Sequence, residues 1–163
     1  MPSAAEHTIG SYLDALGART AAPASGSGAA VAGAVAAALA ELAARFSDER
    51  EAAARLVELR TLLVELADED ADAYSAFMRT RSVEDRDRTI DVPLAIAEAA
   101  AEVDALARAV AEGGNPRVAA DAVSGAELAS AVTRVGAQLV EVNLAGASDP
   151  RLDRARAAVA AAP

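Results

Sequence analysis

The sequence predicts an all-α protein, a multihelical array packed around an alanine-rich central helix. No alternation of apolar and polar residues runs longer than a few positions, and the β-branched residues are scattered. Apolar residues recur instead at spacings of three and four, which is typical of amphipathic helices. Alanine and glycine dominate several of these faces, and small faces let helix axes approach closely. A length of 163 residues predicts one domain, over residues 1–163.

Charge and composition exclude several classes of function. The chain has 25 acidic and 15 basic residues, so its formal charge is −10, which argues against nucleic acid and anionic membranes as partners. It has no cysteine and a single histidine, His7, so we expect neither a thiolate nucleophile nor a metal site. The N-terminus lacks the basic region and apolar core of a signal peptide, and the expected location is the cytoplasm.

The first helix is predicted over residues 4–16. Ser3 and Glu6 have the spacing of a capping box, and Gly17 is placed to end the helix. The residues expected on its apolar face are Ile9, Tyr12, Leu13 and Leu16.

The second helix, predicted over residues 28–46, consists almost entirely of Ala, Val, Leu and Gly. No residue between Arg19 and Glu41 is charged, so a membrane span has to be considered. The preceding Pro, Ser and Gly, the small gain of alanine in lipid, and the arrival of Glu41 and Arg45 argue against a span. We therefore expect no membrane, and a helix that is fully buried at the centre of the array.

The remaining chain predicts four more helices, over residues 49–79, 93–112, 117–144 and 151–161. Ser47 or Asp48 is expected to cap the third helix, whose apolar stripe contains Asp70. The segment TRSVEDRDRTI is expected to be a polar connection, because it lacks an apolar face. Pro93 then suits the first turn of the fourth helix.

The loop before the second helix, APASGSG, has two interpretations. It is either a flexible connector that ends in a serine cap, or an anion site made by unpaired N–H groups at a helix start. In the second interpretation the substrate-binding candidates are Ser25, Gly26, Ser27 and Gly28.

Five blocks of the chain, in order, carry a family resemblance. The stretch YLDALGARTAAPASGSGAAVAGAVAAALAELAARF is followed by LADEDADAYSAFM, VPLAIAEAA, GNPRVAADAVSGAELASA and VNLAG. Together they resemble the cyclodeaminase/cyclohydrolase family, the helical domain that forms the C-terminal part of formiminotransferase-cyclodeaminase and occurs alone as methenyltetrahydrofolate cyclohydrolase. The resemblance covers most of the chain. It implies an all-α fold, a homodimer and a small-molecule folate as ligand.

The resemblance implies an enzyme that hydrolyses methenyltetrahydrofolate to formyltetrahydrofolate. Hydrolysis is preferred because the chain lacks a formiminotransferase domain, and formiminotetrahydrofolate cyclodeaminase is the alternative within the family. Neither reaction needs a metal, a thiol or a redox cofactor, so no cofactor is expected beside the tetrahydrofolate substrate.

The same resemblance points to four further site residues. Asp121 and Asp72 match acidic positions of the family and are the catalytic candidates, while Asn115 and Asn143 are amides able to bind a pterin edge or a carboxylate. A purely structural interpretation stays open for each. Asp121 suits the first turn of a helix and Asp72 a solvated acidic face, while Asn115 suits a turn and Asn143 a helix cap. An active site would bring Asp121 close to residues 26–28.

Departures from the family pattern favour another class of function. Ala24–Gly28 replaces the family's glycine triplet, Ala120 stands where the family has Ser, and Leu139 takes the place of one of two paired Asn residues. The alternative is a non-catalytic helical dimer of the same fold, which binds a small anion or a partner protein.

Overall fold

The computed structural model describes residues 3–162, and within them all regular structure is helical. A 3-10 turn at Ala4–Glu6 precedes six α-helices: α1 Ile9–Leu16, α2 Ser25–Phe46, α3 Arg50–Thr80, α4 Val83–Gly113, α5 Ala119–Leu144 and α6 Pro150–Ala161. The predicted all-α class is therefore confirmed.

Helix α2 lies at the centre of the array and packs against α3, α4 and α5. Half of its 22 residues are buried, and most of these are alanines. The neighbouring backbones come very close, because a Cβ atom built on Gly125 of α5 would lie 2.8 Å from the Ala36 carbonyl oxygen. By length and composition α2 can also cross a membrane, but 56% of its most apolar window is buried inside the molecule. These contacts are those of a core helix.

One face of α2 is not buried, so the prediction of a fully buried helix is wrong there. Val35, Leu42 and Phe46 are 51%, 42% and 63% exposed, and Ile9 and Leu13 of α1 are 83% and 59% exposed. We call these five residues the α1–α2 apolar face. Ile9, Leu13 and Val35 line a groove of about 370 Å³ between the two helices.

The first predicted helix is divided in two. Ser3 and Glu6 close only the 3-10 turn, through a hydrogen bond from the Ser3 N–H to the Glu6 carboxylate. α1 begins after Thr8, whose hydroxyl accepts from the Ser11 N–H. Only Tyr12 of the expected apolar face is buried, because a helix of eight residues touches the core with a single turn.

The predicted polar connection between the third and fourth helices is also wrong. Only Arg81 and Ser82 lie between α3 and α4, and the Ser82 hydroxyl accepts from the Asp85 N–H at 3.1 Å as the cap of α4. Pro93 consequently lies inside α4, where it leaves one carbonyl without its usual helical partner. Further back, neither Ser47 nor Asp48 caps α3, since the residue at its N-cap is Glu49.

Pairing with α6 explains why the charged start of α4 is helical. Arg151, in the first turn of α6, forms ion pairs with Asp87 at 3.1 Å and with Asp91 at 3.0 Å. It also holds Asp149, the N-cap of α6, and its hydrogen bonds lower the pKa of that carboxyl to about 2. The polar segment that was predicted to be a loop is thus a helical surface, whose partly exposed carboxylates pair with α6.

The close approach of α5 to α2 predicts a large effect of one methyl group. Gly125→Ala is expected to destabilise the protein by about 1–3 kcal/mol, because the added Cβ meets the α2 backbone rather than a flexible side chain. Urea unfolding measures the change.

Gly10→Ala is the matched control, since nothing lies within 4 Å of a Cβ at Gly10 and alanine favours a helix by up to about 1 kcal/mol. Equal stability of the two variants would contradict the close packing of α5 on α2.

Candidate functional site

Helix α5 runs antiparallel to α2, and this direction decides which residues meet. Gly125 lies against Ala36 and Ala40, while Val132, further along α5, lies against Gly33. The C-terminal end of α5 therefore reaches the N-terminal end of α2. A cavity of about 200 Å³ lies there, lined by Ser25 and Gly26 of α2, Asp70 and Tyr74 of α3, Thr89 and Pro93 of α4, and Leu139 and Asn143 of α5.

Asp70 binds the start of α2. The Ser27 N–H donates to its Oδ2 at 2.8 Å. The N-cap position of α2 is Ala24, which has no polar side chain, so a carboxylate from another helix takes the capping role. Gly26 permits the contact, because an added Cβ would overlap all three atoms of the Asp70 carboxyl group.

Burial raises the pKa of the Asp70 carboxyl, and the hydrogen bond from the Ser27 N–H opposes that rise only in part. Tyr12 stands behind the same turn, with its hydroxyl 2.8 Å from the Ser27 Oγ. Burial raises the pKa of Tyr12 as well, and the negative charges of Asp70 and Asp68 add to the shift. A carboxyl that keeps its proton to a higher pH, beside a cavity, is suited to proton transfer.

Asn143 satisfies a carbonyl that Pro93 leaves free. Pro93 has no N–H, so the carbonyl of Thr89, four residues earlier, loses its helical donor. The Nδ2 of Asn143 donates to that oxygen at 2.6 Å. Gly136 makes the approach of α5 possible, since a Cβ there would lie 2.8 Å from the Pro93 carbonyl oxygen. Asn143 is therefore not the helix cap of the structural interpretation, because α5 ends at Leu144 and its C-cap position is Ala145.

The predicted binding residues divide around this cavity. Ser25, Gly26 and Asn143 line it. Ser27 lies behind the wall, buried, with both its N–H and its hydroxyl bonded. Gly28 faces α1 instead, where a Cβ would touch the Leu16 side chain at 3.4 Å. The Ser-Gly segment is thus the first turn of α2 and not a flexible loop.

The acidic segment of α3 contributes a different carboxylate from the one predicted. Asp72 is exposed and does not line the cavity. Residues two positions apart in a helix, such as Asp70 and Asp72, are rotated by about 200° around its axis. Asp68 accepts a 2.6 Å hydrogen bond from the Ala4 N–H. Asp70 is the residue that reaches the cavity, and its signal in the sequence was a carboxylate inside an apolar stripe. Tyr74 follows it one turn later and is 40% exposed.

Asn115 and Asp121 lie at the opposite end of α2. The Asn115 N–H donates to the Ser47 Oγ at 2.8 Å, and its Nδ2 donates to the Phe46 carbonyl at 3.1 Å. Asp121 is one turn before Gly125, beside the C-terminal half of α2. At 1.5 Å per helical residue, Asp121 is about 20 Å from Gly26. The expectation that Asp121 lies near residues 26–28 is therefore not met within one chain.

The cavity brings together a carboxyl with a raised pKa, an oriented amide and the N-terminus of a helix. The chain belongs to the formiminotransferase-cyclodeaminase family, whose model matches residues 8–161. The fold is similar to the crystal structure of formiminotetrahydrofolate cyclodeaminase from Thermotoga maritima, with a TM-score of 0.87 and 23% identity over 96% of this chain and 91% of that one. A comparison with curated protein sequences gives no match.

The contact between Gly26 and Asp70 predicts a specific coupling. Gly26→Ala is expected to displace the carboxyl, break its bond with the Ser27 N–H and cost about 1–2 kcal/mol of unfolding free energy. In an Asp70→Ala background the same methyl has room, so its cost there should be much smaller. Denaturant unfolding of the four proteins measures the coupling.

Gly28→Ala, two residues further along α2, is the control, because its Cβ would make an ordinary contact with Leu16. Equal costs of Gly26→Ala with and without Asp70 would disprove the contact.

Proposed function

We propose that the protein is a folate-processing enzyme that hydrolyses methenyltetrahydrofolate to formyltetrahydrofolate in the cavity at the start of α2. The observation that supports this most directly is the partly buried Asp70 carboxyl, which stands at the cavity with a raised pKa. Asn143 and the first turn of α2 add polar groups to the same walls. The cavity volume of about 200 Å³ suits the reacting end of a folate, with the remainder outside.

The proposed reaction needs one group that accepts and returns a proton. Methenyltetrahydrofolate carries a cationic amidinium carbon. Asp70 as carboxylate removes a proton from water while the water oxygen bonds to this carbon. The proton then goes to one ring nitrogen as its carbon–nitrogen bond breaks. The added hydroxyl loses its own proton to solvent and becomes the formyl carbonyl, so the product is formyltetrahydrofolate with one proton released overall. A negative group beside the cavity also favours the cationic substrate.

The second candidate is formiminotetrahydrofolate cyclodeaminase activity, and the name of the Thermotoga maritima structural relative favours it. In that reaction a folate nitrogen attacks the formimino carbon and loses its proton, and the leaving nitrogen takes up a proton and departs as ammonia. Asp70 suits both transfers, because a carboxyl with raised pKa can act first as a base and then as an acid.

Asp70→Asn is expected to lower kcat for the hydrolysis of methenyltetrahydrofolate by about 10²- to 10⁴-fold, the usual contribution of a positioned proton-transfer group. The rate is followed optically, and cyclisation of formiminotetrahydrofolate is assayed beside it. Asp72→Asn is the matched control, since Asp72 is exposed on the same helix and should leave the rate unchanged.

Three outcomes separate the hypotheses. A rate that survives in Asp70→Asn but not in Asp121→Asn would transfer the catalytic role to Asp121, supplied by a second copy of the chain. Activity with only one substrate would decide between hydrolysis and deamination. Folded protein without either activity would favour the non-catalytic dimer, a reading consistent with the apolar Leu139 in the cavity wall.

The raised pKa of Asp70 gives Asp70→Asn a second readout, which is the dependence of activity and stability on pH. As a general base Asp70 must be ionised, so kcat/KM should fall as the pH drops through a pKa above the usual value for Asp, about 3.9. The folded state also binds the proton more tightly than the unfolded chain does. The stability contributed by Asp70 is therefore present at low pH and declines as the pH rises through the raised pKa, and Asp70→Asn should remove that decline.

We also propose that the protein is a homodimer, as the family resemblance implies, and that the α1–α2 apolar face is covered in it. Contiguous exposed apolar side chains mark interaction surfaces, whereas single ones are ordinary. Ile9, Leu13 and Val35 of this face line one groove. Leu42 and Phe46 continue the face along α2, on the same stripe of the helix as Val35.

Val35→Glu is expected to convert the dimer to a monomer, because each subunit would bury a new charge at the contact. Size-exclusion chromatography with light scattering measures the mass. Val83→Glu is the control, since Val83 is 76% exposed at the start of α4, outside the face. A dimer that persists in Val35→Glu would place the interface elsewhere.

A further inference from the structure

The side chain of Asn143 has a single orientation in this structure. The carbonyl of Thr89 is only an acceptor, so the amide must turn its Nδ2 toward it, as the 2.6 Å contact shows. The amide oxygen accepts no hydrogen bond from the described residues. No buried side-chain polar atom of residues 3–162 lacks a partner, so this oxygen is open to solvent or to the cavity that Asn143 lines.

Pro93 is the reason that the orientation is unique. With any other residue at position 93, an N–H would occupy the Thr89 carbonyl, and the amide of Asn143 would have no acceptor-only partner to select its nitrogen. The amide could then rotate by 180° and present either a donor or an acceptor to the cavity. The proline therefore affects the chemistry of a side chain on a different helix.

We propose that Pro93 is a positioning residue, which holds the Asn143 oxygen as an acceptor so that the cavity selects a planar group that donates N–H hydrogen bonds over one that only accepts them. Asp70 on the α3 wall supplies the second acceptor for such a group. This inference rests on the proposed function only in assigning the group to a folate, and the selectivity itself can be measured without turnover.

The start of α2 favours a different ligand, an anion. Ser25 and Gly26 begin the helix at the cavity, and N–H groups at a helix start favour anions. The two preferences call for opposite ligands, so a pair of small ions of similar shape separates them. Formamidinium is planar and cationic, and it only donates hydrogen bonds. Formate is planar and anionic, and it only accepts them.

Nuclear magnetic resonance of ¹⁵N-labelled protein tests the geometry directly. The chain has only three carboxamide side chains, Asn115, Gln138 and Asn143, so three side-chain NH₂ signals are expected, and Asn143→Asp identifies one of them by its disappearance. One Nδ2 proton of Asn143 should be shifted downfield and exchange slowly with water. In Pro93→Ala, which favours the helix and should fold, this shift and protection should be lost.

Pro150→Ala is the matched control, because Pro150 stands in the first turn of α6, where its missing N–H has no helical partner to lose. It should leave the Asn143 signal unchanged. An Asn143 signal that stays shifted and protected in Pro93→Ala would overturn the positioning role of Pro93.

Titration with each ion then tests the selectivity. Formamidinium should shift the signals of Asn143 and of the Ser25 and Gly26 amides, and its dissociation constant should rise about two- to tenfold in Pro93→Ala, the effect of one weakened hydrogen bond. Formate should bind more weakly than formamidinium to the original protein. Tighter binding of formate would overturn the donor preference.

The proposed function is tested by a different measurement, and it fails if the protein turns over neither folate. The signals of Asn143 and both titrations can be measured whether or not the protein is active. A cavity that binds donors without catalysis is therefore distinguishable from an active site.

Discussion

The hydrogen bond between the Ser27 N–H and Asp70 is the interaction on which the site depends. It requires a helix start without a capping side chain, a carboxylate from α3 beside that start, and a glycine at position 26 to leave room for the carboxyl group. The carboxyl that caps α2 is consequently partly buried, and this burial raises its pKa. The same contact therefore supports the fold and prepares the group for proton transfer.

A second dependence links α4 to α5. Pro93 costs α4 one hydrogen bond, and Asn143 replaces it across the helix interface at 2.6 Å. Buried or partly buried carbonyls are rarely left unpaired, so the defect in one helix specifies the rotamer of a residue on the next. Gly136 is part of this arrangement, since only a residue without a side chain lets the helices approach so closely at Pro93.

The placement of the predicted residues follows from helix direction. Residues 21–28 and the end of α5 are far apart in the sequence, but the antiparallel packing of α5 on α2 brings Ser25 and Asn143 to one cavity. The same packing carries Asp121 and Asn115 to the other end of α2. Family motifs identified candidates at both ends of α2. The sequence does not give the direction in which distant helices pack, so it could not show that most of the length of α2 separates these candidates.

The sequence by itself determined the all-α class, the central alanine-rich helix, the family, and the approximate positions of the helices, apart from the division of the first helix and the first turns of α4. Those features depend on local periodicity and on small-residue composition, which are written along the chain. Only the tertiary structure decided that Asp70 rather than Asp72 faces the cavity, that the segment before Pro93 is helical, and that α2 has one exposed face. Each of these depends on which neighbouring helix covers a given side, and that is a property of packing between distant segments.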